Sequence, residues 1–221
     1  MAYRRTENVV RRLAARHAAI IAAAGALAAE AGINAVQIAP VAERAGIAAG
    51  TVYRYFPSKT ELVTALVAAV SEREATAMRR AARAAPGPLS ALAAAIATFG
   101  GRAMAQRRLT WALIAEPADA ETDTARAGYR KAIAAELTNR LSTALAARSL
   151  PEQDAAVTAA ALVGAVLEGL VGPLAAVPDA ARTRDAVQAL TLFALRAVGV
   201  VDAHARGLVV QIALPAEGVS L

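Results

Sequence analysis

The chain has 221 residues, enough for one large domain or a small one joined to a larger one, and no cysteine, which excludes disulfides, thiolate metal sites and a cysteine nucleophile. Alanine dominates and aromatics make up only 4%, a balance that favours helix over strand and predicts an all-α fold. The formal net charge of +6 is unevenly placed: residues 1–60 carry eight Lys or Arg against three Glu, a footprint expected for a polyanion partner, either nucleic acid or an anionic membrane surface.

Residues 1–10 read as a polar, basic arm. A first helix is expected to run from there to Ala31 and to close at Gly32, the residue suited to a left-handed cap. Arg11, Arg12 and Arg16 precede the charge-free run Ala18 to Ala29, as in a signal peptide. The recurrence of Leu13, Ile20, Ala24, Leu27 and Ala31 instead favours one face of an amphipathic helix. Two short helices should follow, Gln37 to Ala45 with Pro40 in its first turn, and Ala48 to Tyr55 stopped by Pro57. Ser58 with Glu61 three residues on predicts a capping box at the start of a longer helix. That helix is expected to reach about Arg83, with Arg73, Glu74, Arg79, Arg80 and Arg83 as an exposed charged end.

Pro86-Gly87-Pro88 is the clearest break in the sequence. Helical patterns beyond it cover roughly 89–107, 109–115, 122–147, 151–174 and 180–200, and the apolar run Leu208 to Ile212 is read as an extended strip. The stretch Ala155 to Val177 is long enough to span a membrane, but Glu168 at its centre and Pro173 and Pro178 at its end favour a buried helix of a soluble protein. The expected organisation is a helix-turn-helix domain over 1–57, a connecting helix over 58–85, a second helical domain over 86–205 and a tail over 206–221.

The segment from Ala45 to Lys59 holds two of the four tyrosines, one of the three phenylalanines and one of the two lysines. Two short helices joined by a turn at Gly46, the second presenting Thr51, Tyr53, Arg54 and Tyr55, describe a helix-turn-helix over 37–56, in which the second helix lies in the DNA major groove. The stretch from Arg16 through Leu62, with Ala23-Ala24, Leu27, Glu30, Gly32, Val41-Ala42, Ala45-Gly46, Gly50-Thr51-Val52-Tyr53, Tyr55-Phe56 and Ser58-Lys59-Thr60-Glu61-Leu62, resembles the DNA-binding domain of the tetracycline-repressor (TetR) family. The resemblance implies that Thr51 and Tyr53 face DNA, that Tyr55 and Lys59 meet backbone phosphate, and that Phe56 belongs to the core. Arg54 suits guanine or phosphate equally, and Arg44, Arg4 and Arg5 complete the expected DNA-contacting set. Gln37, Ala48 and Ala49 depart from the family pattern, each losing a side-chain hydrogen bond.

In such a family the region between Leu89 and Ala147 encloses a small-molecule pocket whose occupation spreads the DNA-binding domains. The resemblance points to Phe99, Met104, Trp111, Ile114 and Tyr129, with Glu168 as a polar group, although core packing accounts for the same residues equally well. Ala156, Ala160, Gly164, Glu168 and Gly172 form an i, i+4 row that permits close helix approach. With Leu190 and Phe193 on the next helix, that row suits a four-helix homodimer interface or, alternatively, packing within the chain. Asp119, Glu121 and Asp123 mimic the start of a calcium loop, but Thr124 and Arg130 occupy its glycine and closing glutamate positions. His17 and His204 have no partner spacing for zinc, and no metal or cofactor is expected.

The expected function is therefore a cytoplasmic, homodimeric, ligand-responsive transcriptional repressor of operator DNA, with an apolar or amphipathic effector. The alternatives are a helical enzyme using Glu116, Glu168 or Tyr129 in acid–base roles, and a membrane-surface protein driven by the basic first helix. No convergent nucleophile, base and orienting group supports the enzyme.

Overall fold

The computed structural model describes the backbone of residues 2–172, 175 and 180–212, and the side chains of these except for residues 2–7, 180 and 181. Among the described residues there are ten α-helices and no strand: α1 (Ala2–Ala31), α2 (Ile38–Arg44), α3 (Ala49–Tyr55), α4 (Lys59–Ala84), α5 (Pro88–Ala105), α6 (Arg107–Ile114), α7 (Ala120–Ala146), α8 (Ala155–Leu170), α9 (Ala180–Ala197) and α10 (Asp202–Gln211).

The basic arm is not separate from the first helix. Helical backbone runs unbroken from Ala2, because no glycine or proline interrupts the chain before Gly25. Ile20, Ala23, Ala24 and Ala28 form the buried stripe of α1, whereas Leu13 and Ala31, expected on that face, are exposed. The segment Asn8–Ala31 is long and apolar enough to cross a membrane by composition, but its C-terminal half is committed to the core through that stripe.

Punctuation residues set most other boundaries. Gly46, at φ 65°, turns the chain between α2 and α3. Ser58 accepts from the Glu61 amide at 3.1 Å to start α4; the return bond from the Glu61 side chain is not among the described hydrogen bonds. Pro88 occupies the first turn of α5, where Ser90 Oγ accepts from the Gly87 amide. Asp154, not Pro151, opens α8, its carboxylate accepting from the Ala156 and Val157 amides at 2.8 and 3.0 Å. The acidic triplet 119–123 is the N-terminus of α7: Asp119 caps it from Thr122 at 2.7 Å, and Glu121 and Asp123 lie in the first turn, where the helix dipole favours negative charge. Of the run Leu208 to Ile212, read as an extended strip, residues 208–211 are the end of α10, with Leu208 and Val209 buried, and Ile212 is its C-cap.

One contiguous apolar core links both ends of the molecule, from Ile20 of α1 to Val209 of α10. The long α4 is shared: its first turns pack with α1, and its length lies against α5 and α7.

Its charged stretch is not wholly a solvated face. Glu74 is buried and accepts from Arg102 Nε and Nη2, the latter at 2.9 Å, and Arg73 joins it at 3.3 Å while donating to Gln106 at 2.8 Å. Arg79 and Arg140 face the buried Glu136 across α4 and α7, and burial nevertheless pushes the Glu136 carboxyl above its ordinary value.

Candidate nucleic-acid interface

The second short helix is held by one face and open on the other. Val52 is fully buried and Phe56 is 4% exposed, which fixes α3 on the small core made by Ile33, Val36, Val41 and Leu62. Burying a side chain of that size contributes about 1.5–3 kcal/mol. Tyr53 and Arg54 point outward, Tyr53 being 53% exposed, with Thr51 at the edge and accepting weakly from Arg54 Nη2 at 3.5 Å. Tyr55 is half-buried beside Phe56 and His17, at ring distances of 6.5 and 6.4 Å, so its ring packs on the core edge. A Cβ on Gly50 would meet nothing within 4 Å, so nothing inside this chain requires a glycine there.

Neither α2 nor α3 has a side-chain cap. Gln37 turns its amide to the Asn34 carbonyl at 3.1 Å instead, and Ala48 has nothing to offer. Arg44 is not unpartnered: it clasps Glu30 with both terminal nitrogens, one at 2.7 Å, and lowers the Glu30 carboxyl below its usual value. Arg11, Arg12 and Arg16 lie on the exposed half of α1; the side chains of Arg4 and Arg5 are outside the described residues.

Residues 115–121, the connection from α6 and the first two residues of α7, grip Ile33 and Asn34 of this N-terminal unit and Lys59 and Thr60 at the start of α4. Glu116 Oε2 accepts from the Ile33 amide at 2.8 Å, and the Pro117 carbonyl accepts from Asn34 at 3.0 Å. Asp119 accepts from Lys59 Nζ at 3.0 Å, and Glu121 from the Thr60 hydroxyl. The Glu116 carboxylate is pressed against Gly32, at φ 86°, where a Cβ would lie 2.3 Å from its Oε1. Glycine there both adopts the left-handed turn and makes room for the carboxylate. Lys59, expected to meet phosphate, is thus turned to a carboxylate of its own chain. The amide of Thr122 first, then Lys59, hold the Asp119 carboxyl well below its ordinary value, so it is ionised throughout the neutral range.

Residues 20–66 match the family described as bacterial regulatory proteins, tetR family. The N-terminal unit is of the tetR family. The chain is 50% identical over 58 residues to the HTH-type transcriptional repressor KstR of Rhodococcus jostii, a segment that is 26% of this chain and 27% of that repressor. The match thus spans about a quarter of the relative's length. Among solved structures, RolR in complex with resorcinol superposes with a TM-score of 0.68 over 95% of this chain and all of that one, at 22% identity. FadR from Bacillus subtilis in complex with stearoyl-CoA gives 0.63 over 78% of this chain and 96% of that one, at 19% identity. The full helical architecture is therefore a tetR-type fold, with an N-terminal helix-turn-helix and a C-terminal helical domain.

Within that fold the residues expected around a pocket separate. Phe99 and Tyr129 are each 1% exposed and pack together in the core at a centroid distance of 6.4 Å, and they fill it without lining the clefts described below. Burial, then the nearby Glu74 charge, raises the Tyr129 phenol above its usual range, so it stays neutral. Trp111 lines a cleft of about 650 Å³ between the end of α1, α6 and the residues after α8, together with Glu116 and Gly172. Met104 lines a second cleft of about 410 Å³ beside it, and Ile114 a third of about 580 Å³. Glu168 is exposed on α8. Glu116, Tyr129 and Glu168 thus occupy a cap, a core and an exposed position.

On the tetR-type C-terminal domain, Ala156, Val157, Ala160, Ala161, Gly164 and Glu168 make up an exposed, mostly small and apolar face of α8. Phe193 on α9 is 53% exposed, and Leu190 packs toward Gly169 of α8. Among the described residues no group of three or more His, Asp or Glu is placed to hold a metal ion. Sequence reasoning missed the buried Glu74–Arg102 pair and the four-point grip of residues 115–121. Neither has a local signal, because the partners are 28 to 83 residues apart.

Proposed function

We propose that the protein is a ligand-responsive transcriptional repressor that binds a palindromic operator as a homodimer in the cytoplasm. The observation that carries this reading is α3: an outward face of Thr51, Tyr53 and Arg54 with an open Gly50, fixed from behind by Val52, in the domain that matches the tetR family. That helix enters the major groove, and the basic residues of α1 add phosphate contacts.

The organisation that supports it is a helix-turn-helix unit over 1–57, α4 as the connecting helix, and a helical effector and dimerisation unit from residue 86. The exposed small-residue face of α8 and Phe193 pair with their copies about a twofold axis. The relatives with bound resorcinol and stearoyl-CoA support a small-molecule effector for this fold, and Trp111 offers an aromatic wall for one. An effector that binds the spread state better than the DNA-competent state releases the operator by population shift. The chemistry is binding, without a catalytic group. Footprinting on DNA flanking the coding gene tests the reading: protection of a roughly palindromic site is expected, and loss of it in Tyr53→Ala. Absence of any protected site, with liposome binding instead, would overturn it.

A further inference from the structure

The cleft of about 580 Å³ beside α7 has no part in the reading above, yet it holds an unusual charge. Arg126 lines it and is 3% exposed. Its Nη1 donates to the Glu116 carbonyl at 2.6 Å and to Asp123 Oδ1 at 2.9 Å, but its Nε–H has no acceptor among the described residues. Asp123 compensates it poorly, because that carboxylate's side chain is 61% exposed and screened by water. The other nearby carboxylate, Glu116, is turned away onto the Ile33 amide. Arg130 and Lys131 line the same cleft: Arg130 spends one nitrogen on the Ile114 carbonyl at 2.5 Å, and Lys131 is exposed. Three cations therefore face two carboxylates, one already occupied elsewhere. The unmet Nε–H is sealed inside the protein, but the buried guanidinium as a whole carries more charge than its carboxylates offset, and an anion in the cleft lowers that cost.

The rest of the wall is apolar, formed by Ile114, Pro117 and Ala127. We infer that this cleft binds the carboxylate of an amphipathic organic anion, with Arg126, Arg130 and Lys131 on the charged head and the apolar wall against its body. A guanidinium matches a carboxylate with paired, charge-assisted hydrogen bonds, and the wall selects against a bare inorganic ion. The site has a direct line to the N-terminal unit, since Arg126 holds the carbonyl of the residue whose side chain grips Ile33. An anion that draws Arg126 toward the cleft loosens that grip; this consequence, unlike the binding itself, rests on the proposed regulator function.

Titration calorimetry of the full chain with octanoate, octanol and inorganic phosphate tests the site, together with the side-chain Nε–H resonance of Arg126. Saturable octanoate binding that moves this resonance is expected, with about tenfold weakening in Lys131→Glu and in Arg130→Gln, surface variants that leave the Arg126 anchor in place. Octanol should bind at least tenfold more weakly than octanoate. Equal binding of octanol, indifference to both variants, a still Arg126 resonance, or binding of phosphate alone each overturns the proposal. Failure of octanoate with an intact operator footprint sinks this site alone, whereas octanoate binding without any footprint sinks the regulator reading alone.

Discussion

Replacing Asp119 with Asn should make DNA binding more salt-sensitive, although residue 119 is placed in no DNA contact. The Lys59 ammonium, one residue into α4, is engaged by Asp119 at 3.0 Å and its side chain is 26% exposed. A carboxylate there competes with phosphate for the same cation. Asn retains the cap on the Thr122 amide, because it is as good an N-cap as Asp, and removes only the charge. Each lysine released to a phosphate adds about 0.9 to the slope of log affinity against log salt. Two in the proposed dimer add about 1.8, so each doubling of salt should weaken the variant about 3.5-fold more than the wild type. Fluorescence anisotropy with operator DNA over a salt series reads this directly, and Lys59→Ala in the Asp119→Asn background should restore the original slope. An unchanged slope in Asp119→Asn, or a steepening that survives Lys59→Ala, would refute the competition.

Three further outcomes concern stability. Glu116→Ala leaves the buried Ile33 amide without its acceptor, a cost of about 1–3 kcal/mol, and a chain of this size loses about 2–4 °C of melting temperature per kcal/mol; Glu116→Gln keeps an acceptor and should recover most of it, and equal melting of all three proteins would contradict the role. Glu74→Ala strands Arg102 in the core and should cost about 3–5 kcal/mol, whereas Glu74→Met with Arg102→Met should return close to wild type in denaturant titration; a double variant as weak as the single one would argue against a desolvated pair. Glu136 has a folded pKa raised by burial, so its contribution favours the fold at low pH and is lost as pH rises from its unfolded value through the folded one. Glu136→Gln should therefore gain on wild type as pH increases across that acidic window, and a parallel pair of stability curves would show the carboxyl is not strained.

How much of this was legible in the sequence depends on the range of the interaction. Gly46, Pro57, Ser58 and the Pro86-Gly87-Pro88 break act on their own few residues, and the helices they bound appear where the chain chemistry puts them. The outward face of α3 was legible too, because Val52 and Phe56, four residues apart, dictate which side is inward. Glu74 was not: among five charged neighbours it has the same local signature as a solvated residue, and only Arg102 on another helix makes its burial tolerable. Lys59 shows the same limit at the site itself. Residue type and position suit phosphate, but the competing Asp119 comes from 60 residues away. The unbroken α1 was legible in principle, since alanine and arginine are good helix formers; its charge drew the reading toward an arm.

The missing caps on α2 and α3 set the dynamics of the reading unit. Each helix has seven residues, too few to hold itself, and neither N-terminus carries a side-chain cap, so their order comes from the buried Ile38, Val41, Ala42 and Val52 with Phe56 behind them, and from the Arg44–Glu30 pair at the end of α2. Such a unit opens locally at a lower free energy than the whole molecule, and amide exchange in residues 38–55 should outpace that in α4 and α7. Operator affinity then includes the cost of stilling this segment. In the proposed regulator, a change that tightens the small core behind α3 should strengthen DNA binding without adding a contact to DNA.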